Sequence, residues 1–322
     1  MCGLFGFTCY GNEIKNISKV TNALSVQSAV RGTDAVGIAF AKGNNIAINK
    51  VGKSARDYIF KHDDSVRALI GHTRHSTQGS ERRNYNNHPF FGKVKNTKFA
   101  LAHNGVLMND DMLRASLKLP KTKIETDSYI AVQLIESKDK LDFESIAYMS
   151  ESIYGSFSFS VIDNKNNLYL VKGDSPLSIL HFPESKIYVY ASTDEILYRA
   201  IVDSPLFSEL KACRFERVDV TDGDILKISP EGEITKWYFE YSTYYGRQWY
   251  DIRYGSWGNS NLFGTRTSSN YLDEYTKELK FIASYEGISP ETIDKLLQEG
   301  FSPEEVEEYI YALGGEIMEA AI

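Results

Sequence analysis

Cysteine is scarce in this chain. Three occur in 322 residues, at positions 2, 9 and 213. The number is odd, and the spacing builds neither a disulfide framework nor a paired metal site. So sparse a set fits a reducing compartment, and the expected location is cytoplasmic. Long apolar runs are missing too. No stretch approaches the ~18 residues of a membrane span. The start has neither the basic segment nor the sustained apolar stretch of a secretory signal. No membrane is therefore expected as a partner. No G-x-G-x-x-G follows a strand-like run and no Walker A loop occurs, which speaks against nucleotide chemistry within the chain. Positive charge is not in excess: the formal net charge is −7, so no nucleic-acid partner is expected.

The charge that is present is unevenly spread. Residues 271–322 carry a local net of −10, which leaves about +3 for the rest. Such asymmetry points to physically different parts. Residues 2–240 alternate β-like runs with amphipathic helical stretches. Strands are predicted at residues 3–10, 36–41, 46–48, 67–72, 99–103, 157–162, 168–172, 187–191, 218–220 and 224–228. Helical spacing covers residues 15–30 and 128–136. Hairpin-linked strands with segregated helices imply an antiparallel α+β fold. Residues 241–270 mix Tyr and Trp with Ser, Gly, Asn and Arg, and read as an aromatic-polar linker. A base-stacking surface would use the same aromatics with Arg247, Arg253 and Arg266; the linker is the simpler reading. Residues 271–322 read as a compact acidic helical module. Ser289-Pro290-Glu291 and Ser302-Pro303-Glu304 each offer an N-cap Ser, a first-turn Pro and an acid.

Four polar clusters sit at the ends of these elements. Cys2-Gly3 opens the first strand. Removal of Met1 would give Cys2 a thiol and a free α-amine on one residue, a nucleophile with its own base. The second cluster runs from Gly71 to Gly79 and contains His72, Arg74, His75, Thr77 and Gln78. The third is Ala102-His103-Asn104-Gly105, and the fourth Glu125-Thr126-Asp127-Ser128. Singly, each has a bland explanation: a surface cation, a turn, a helix cap. Together they supply what binding and attacking a zwitterionic amino acid requires. A guanidinium suits a carboxylate, an anion suits an ammonium, and N–H donors suit an oxyanion.

In order and in combination these pieces resemble the class II, N-terminal-nucleophile glutamine amidotransferase domain. Also matching are Arg31-Gly32-Thr33-Asp34, Asn87-His88-Pro89-Phe90, Tyr154-Gly155-Ser156-Phe157, Gly173-Asp174-Ser175-Pro176 and Asp222-Gly223-Asp224. The resemblance implies a four-layer α/β/β/α sandwich of antiparallel sheets over residues 2–240. It implies Cys2 as nucleophile with its amine as base, and Asn104 and Gly105 as the oxyanion hole. Arg74 would hold the glutamine carboxylate with Thr77 nearby, and Asp127 the ammonium. His75 stands where the family usually has a large aromatic. With His72, His88 and His103 it invites a metal reading. However, His72-x-x-His75 lies on an extended strand end, and no carboxylate or Cys completes a ligand set. No metal and no cofactor is expected.

About 80 residues follow position 240, too few for the synthase domain such enzymes carry. The leading expectation is therefore a glutaminase that supplies ammonia to a separate synthase. One alternative is a stand-alone hydrolase of γ-glutamyl-type amides. Another is a non-enzymatic scaffold that keeps the fold. A homo-oligomer formed through the C-terminal helices is a further expectation.

Overall fold

The structure, a computed structural model, describes residues 2–241, 280, 283, 288–298 and 306. The chain divides into two compact units, Met1–Arg253 and Tyr254–Ile322. The first is built on two antiparallel sheets. One has seven strands in the order β11-β9-β10-β1-β4-β2-β3. They are β1 (Gly3–Cys9), β2 (Ala35–Lys42), β3 (Asn45–Val51), β4 (Ala68–Arg74), β9 (Ser178–Phe182), β10 (Ile187–Ala191) and β11 (Glu216–Arg217). The other has six, in the order β13-β12-β8-β7-β6-β5. These are β5 (Phe90–Val94), β6 (Thr97–Leu107), β7 (Gly155–Asp163), β8 (Leu168–Lys172), β12 (Asp224–Ile228) and β13 (Ile234–Tyr238).

Two-residue periodicity decides which core each side chain enters. On β1, Phe5, Phe7 and Cys9 face a helix-covered core, whereas Leu4 faces the second sheet. On β7, Phe157, Phe159 and Val161 face helices while Ile162 points between the sheets. β10 divides likewise, with Val189 outward and Tyr188 and Tyr190 inward. Both faces of the central strands are thus dry, which explains their near-continuous apolar sequences. Helices α1 (Ile17–Ser28) and α5 (Asp194–Val202) cover the seven-stranded sheet; α3 (Tyr129–Ser137) and α4 (Phe143–Ser152) cover the other. The shorter α2 (Asp110–Ser116) and α6 (Phe207–Lys211) complete the set. The layer order is α/β/β/α, as the resemblance implies.

Helix α1 buries Ile17, Val20, Thr21, Leu24, Ser25 and Ser28, the three-and-four spacing of one face. Its first N–H groups are met from outside the helix: Asp64 accepts from Asn16 at 3.0 Å and from Ile17 at 3.2 Å. The predicted strand at residues 218–220 is absent. Strand pairing there is confined to Glu216 and Arg217, opposite His181 and Leu180. The partner β9 begins at Ser178, so the ladder runs out after the bond from Val218 N–H to Ile179 C=O.

In the second unit, α7 (Pro290–Gln298) starts where the Ser-Pro-Glu signal places it. Ser289 Oγ accepts from Thr292 N–H at 3.3 Å. Ile293 is buried with Ala283, Ile288 and Val306, against partly buried Leu296 and Leu297. The aromatic stretch expected as a linker, after Tyr241, lies outside the described residues. So does most of the expected acidic module, including Ser302-Pro303-Glu304.

Candidate active site

Cys2 immediately precedes β1. Antiparallel pairing of Gly3 with Thr73 brings the end of β4 alongside it, so Arg74 and His75 are its neighbours across the ladder. The Cys2 thiol lies 3.6 Å from the His75 carbonyl oxygen, a long contact even for sulfur. Arg31 Nε donates to the Cys2 carbonyl at 2.8 Å, which fixes the backbone at this residue. Burial pushes the Cys2 thiol above its usual range; the His75 carbonyl contact and the nearby Arg74 charge oppose that, and Asp127 adds to it. Burial thus favours the protonated thiol, and chemistry through a thiolate here would call for a base.

Arg74, at the end of β4, is 3% exposed. It donates to Asn87 Oδ1 at 2.7 Å and to the carbonyls of Gln78 and Gly79, both at 2.6 Å. Three of its five N–H donors thus orient the guanidinium. The loop over it is held at two further points. Ser76 N–H donates to Asp34 Oδ2 at 2.7 Å, and Asp127 N–H donates to Gln78 Oε1 at 3.0 Å. Thr77, between these anchors, is exposed. His75 Nδ1 stands 3.9 Å from Asp34 Oδ2.

Asp127 lies just ahead of α3 and is buried. Its Oδ2 accepts from Leu107 N–H at 2.6 Å, and its Oδ1 from Ser128 N–H at 2.7 Å and Ser128 Oγ at 3.1 Å. This carboxylate ties the start of α3 to the end of β6. Asn104 and Gly105 lie on β6 itself, paired with Ser158 and Phe157. Asn104 is 2% exposed, yet among the described residues its Nδ2 has no hydrogen-bond partner. Gly105 has φ +138°, and a Cβ there would fall 2.0 Å from the Ser156 carbonyl oxygen. Only glycine fits that position.

Behind these residues three imidazoles are buried. The His72 and His88 ring centroids are 4.1 Å apart, and those of His88 and His103 6.5 Å. His103 bonds Ser128 Oγ at 2.8 Å. Burial pushes His72 down to about 3, and pushes His88 and His103 below their usual range as well. All three are neutral near pH 7. Among the described residues no group of three or more His, Cys, Asp or Glu side chains is placed to hold a metal ion.

The structure therefore gathers Cys2, Arg74 and Asp127 within electrostatic reach of one another and sets Asn104 and Gly105 on β6 beside the Asp127 anchor. Thr77 stays at the loop surface. Arg31, Asp34, Gln78 and Asn87 emerge as supporting residues. Each belongs to a motif or polar cluster visible in the sequence, but its bond partner is a distant backbone or side-chain group that no spacing rule reveals.

Residues 72–199 match a family model described as the glutamine amidotransferase domain. The chain is 31% identical over 188 residues to the isomerizing glutamine–fructose-6-phosphate aminotransferase of Sulfurisphaera tokodaii, covering 56% of this chain and 31% of that protein. A Staphylococcus aureus protein of the same description is 32% identical over 186 residues, covering 55% of this chain and 30% of its own length. The matched region thus spans under a third of these relatives. Among solved structures, glutamine phosphoribosylpyrophosphate amidotransferase from B. subtilis superposes with a TM-score of 0.60 at 21% identity, covering 88% of this chain and 58% of the other. That likeness is one of fold.

Proposed function

The chain carries a class II glutamine amidotransferase domain, and from that premise we propose that it hydrolyses the side-chain amide of glutamine through a thioester on Cys2. The observation that carries this reading is the placing of the half-buried Cys2 thiol beside the end of β4, within the fields of both Arg74 and Asp127. A free amino acid presents a carboxylate and an ammonium, and these two side chains complement them.

With Met1 removed, the Cys2 α-amine, of ordinary pKa ~7.7–8.0, takes the thiol proton, directly or through a water. The thiolate attacks the amide carbon of the side chain. Charge gathers on the amide oxygen, and the Asn104 Nδ2 and Gly105 N–H groups receive it. Having no partner among the described residues, Asn104 Nδ2 sacrifices no bond to do so. The α-ammonium returns the proton to the leaving nitrogen, ammonia departs and a γ-glutamyl thioester remains. Water, deprotonated by the same amine, cleaves it to glutamate. The released ammonia passes to a separate synthase; glutamine hydrolysis without transfer is the alternative.

The test is the release of glutamate and ammonia from glutamine by the purified chain. Equal amounts of the two are expected, and Cys2→Ala should abolish both while leaving the circular dichroism spectrum unchanged. Turnover persisting in Cys2→Ala would overturn the proposal. Adding a candidate synthase and its acceptor should divert ammonia into product; undiminished free ammonia would favour hydrolysis alone.

A further inference from the structure

Lys50, on the edge strand β3, turns its ammonium inward. Nζ donates to the Asn87 carbonyl at 2.5 Å and the Pro89 carbonyl at 3.1 Å, and lies 5.1 Å from the Phe90 ring centroid. The Lys50 carbonyl in turn accepts from Asn84 Nδ2 at 2.8 Å. One residue thus grips the segment 84–89 at three points. That segment carries Asn87, whose carboxamide is fully engaged. Its Oδ1 accepts from Arg74, and its Nδ2 donates to the Glu81 carbonyl at 2.8 Å and to Asn84 Oδ1 at 3.1 Å.

Stability alone is a poor reason for this arrangement. Among the described residues no carboxylate pairs with Lys50. Burial, followed by repulsion from Arg74, pushes its pKa down to about 8. A methionine of similar length would fill the same space without burying a charge, at the cost of the bonds to the Asn87 and Pro89 carbonyls. A second cation close to Arg74 also repels it. What the ammonium supplies that a methionine cannot is the pair of bonds that pins the Asn87 and Pro89 carbonyls.

We propose that Lys50 is a positioning residue for the substrate's α-carboxylate: by fixing the backbone of residues 87–89 it aims the Asn87 carboxamide that orients Arg74. This rests on the reading of Arg74 as the carboxylate anchor.

Steady-state glutaminase kinetics of Lys50→Met, Lys50→Gln, Arg74→Lys and Asn87→Ala test it. Lys50→Met should raise the glutamine KM about tenfold, the scale of one charge-assisted bond, with kcat within about twofold. Lys50→Gln, which keeps an N–H donor, should raise KM less, by a few-fold, and carries the test if the Met variant fails to fold. Placed on Asn87→Ala, Lys50→Met should add little, because both act through the same carboxamide. An unchanged KM in the Lys50 variants, or a full independent effect on the Asn87→Ala background, would overturn the proposal. If Arg74→Lys leaves KM unchanged, the carboxylate reading itself fails and this inference falls with it. A raised KM in Arg74→Lys beside an unchanged one in Lys50→Met isolates the failure to Lys50.

Discussion

Asn104 is buried, on a strand, and its side-chain N–H donor finds no partner among the described residues. Leaving such a group unmet costs roughly 1–3 kcal/mol, so its persistence calls for a role outside packing. Asn104→Ala should therefore lower kcat by about 10²–10³-fold, with KM little changed and the unfolding midpoint kept. A raised KM with normal kcat would assign it to ground-state binding instead. Asp127 differs, because its carboxylate also holds the N–H groups of Leu107 and Ser128. Asp127→Asn should raise the glutamine KM with only modest loss of stability. Asp127→Ala should do both, losing about 1–3 kcal/mol in denaturant unfolding. Equal stability of the two variants would show that the carboxylate is not the anchor for these strands. Cys2, Arg74, Asn104, Gly105 and Asp127 were legible as candidates because each falls within a recognisable polar string, although Asn104 and Gly105 sit inside β6, which runs on to Leu107, and not at the end that the apolar run 99–103 suggested. Lys50 was not, because its partners are backbone carbonyls, which leave no mark on side-chain spacing.

Gly105 carries its constraint at the level of the strand. Gly105→Ala would drive Cβ toward the Ser156 carbonyl on the neighbouring strand β7 and force φ +138° on an L side chain. Thermal unfolding should show a loss of about 1–3 kcal/mol, together with loss of glutaminase activity, since Asn104 is its direct neighbour. A variant as stable and active as the parent would mean that the local geometry of β6 can relax freely. Strands buried on both faces, such as β1, β8 and β10, were readable from apolar runs, and β8 and β10 match residue for residue. β13 was missed because every residue in it is exposed and no alternation remains. β5 alternates buried and exposed, but Pro89 and Gly92 obscure the period. β9 is interrupted by polar Ser178 and half-buried His181. Exposed or interrupted strands obtain their pairing from neighbours, and that information is not local.

At the scale of the whole molecule, the two sheets enclose neutral imidazoles. His72 is pushed down to about 3 in the fold, and His88 and His103 also lie below their ordinary value. Unfolded histidine titrates near ~6.5, so below that the unfolded chain takes up more protons. The stability these groups hold is complete above that pH and is lost as pH falls towards their folded values. The slope is about 1.4 kcal/mol per pH unit per imidazole. Urea unfolding midpoints should fall between pH 6.5 and 5.5, before most carboxylates titrate; a flat profile there would contradict burial of the neutral rings. The layer order was legible through resemblance, whereas the packing of His72 against His88 joins residues far apart in sequence and only the fold brings them together. Covalent chemistry at a free Cys2 is decided by mass spectrometry of the amino-terminal peptide, acid-quenched during glutamine turnover. Catalysis by the Cys2 amine requires a peptide that begins at Cys2 and carries a γ-glutamyl group on sulfur. Active enzyme that retains Met1, or a γ-glutamyl adduct on any other residue, would contradict it.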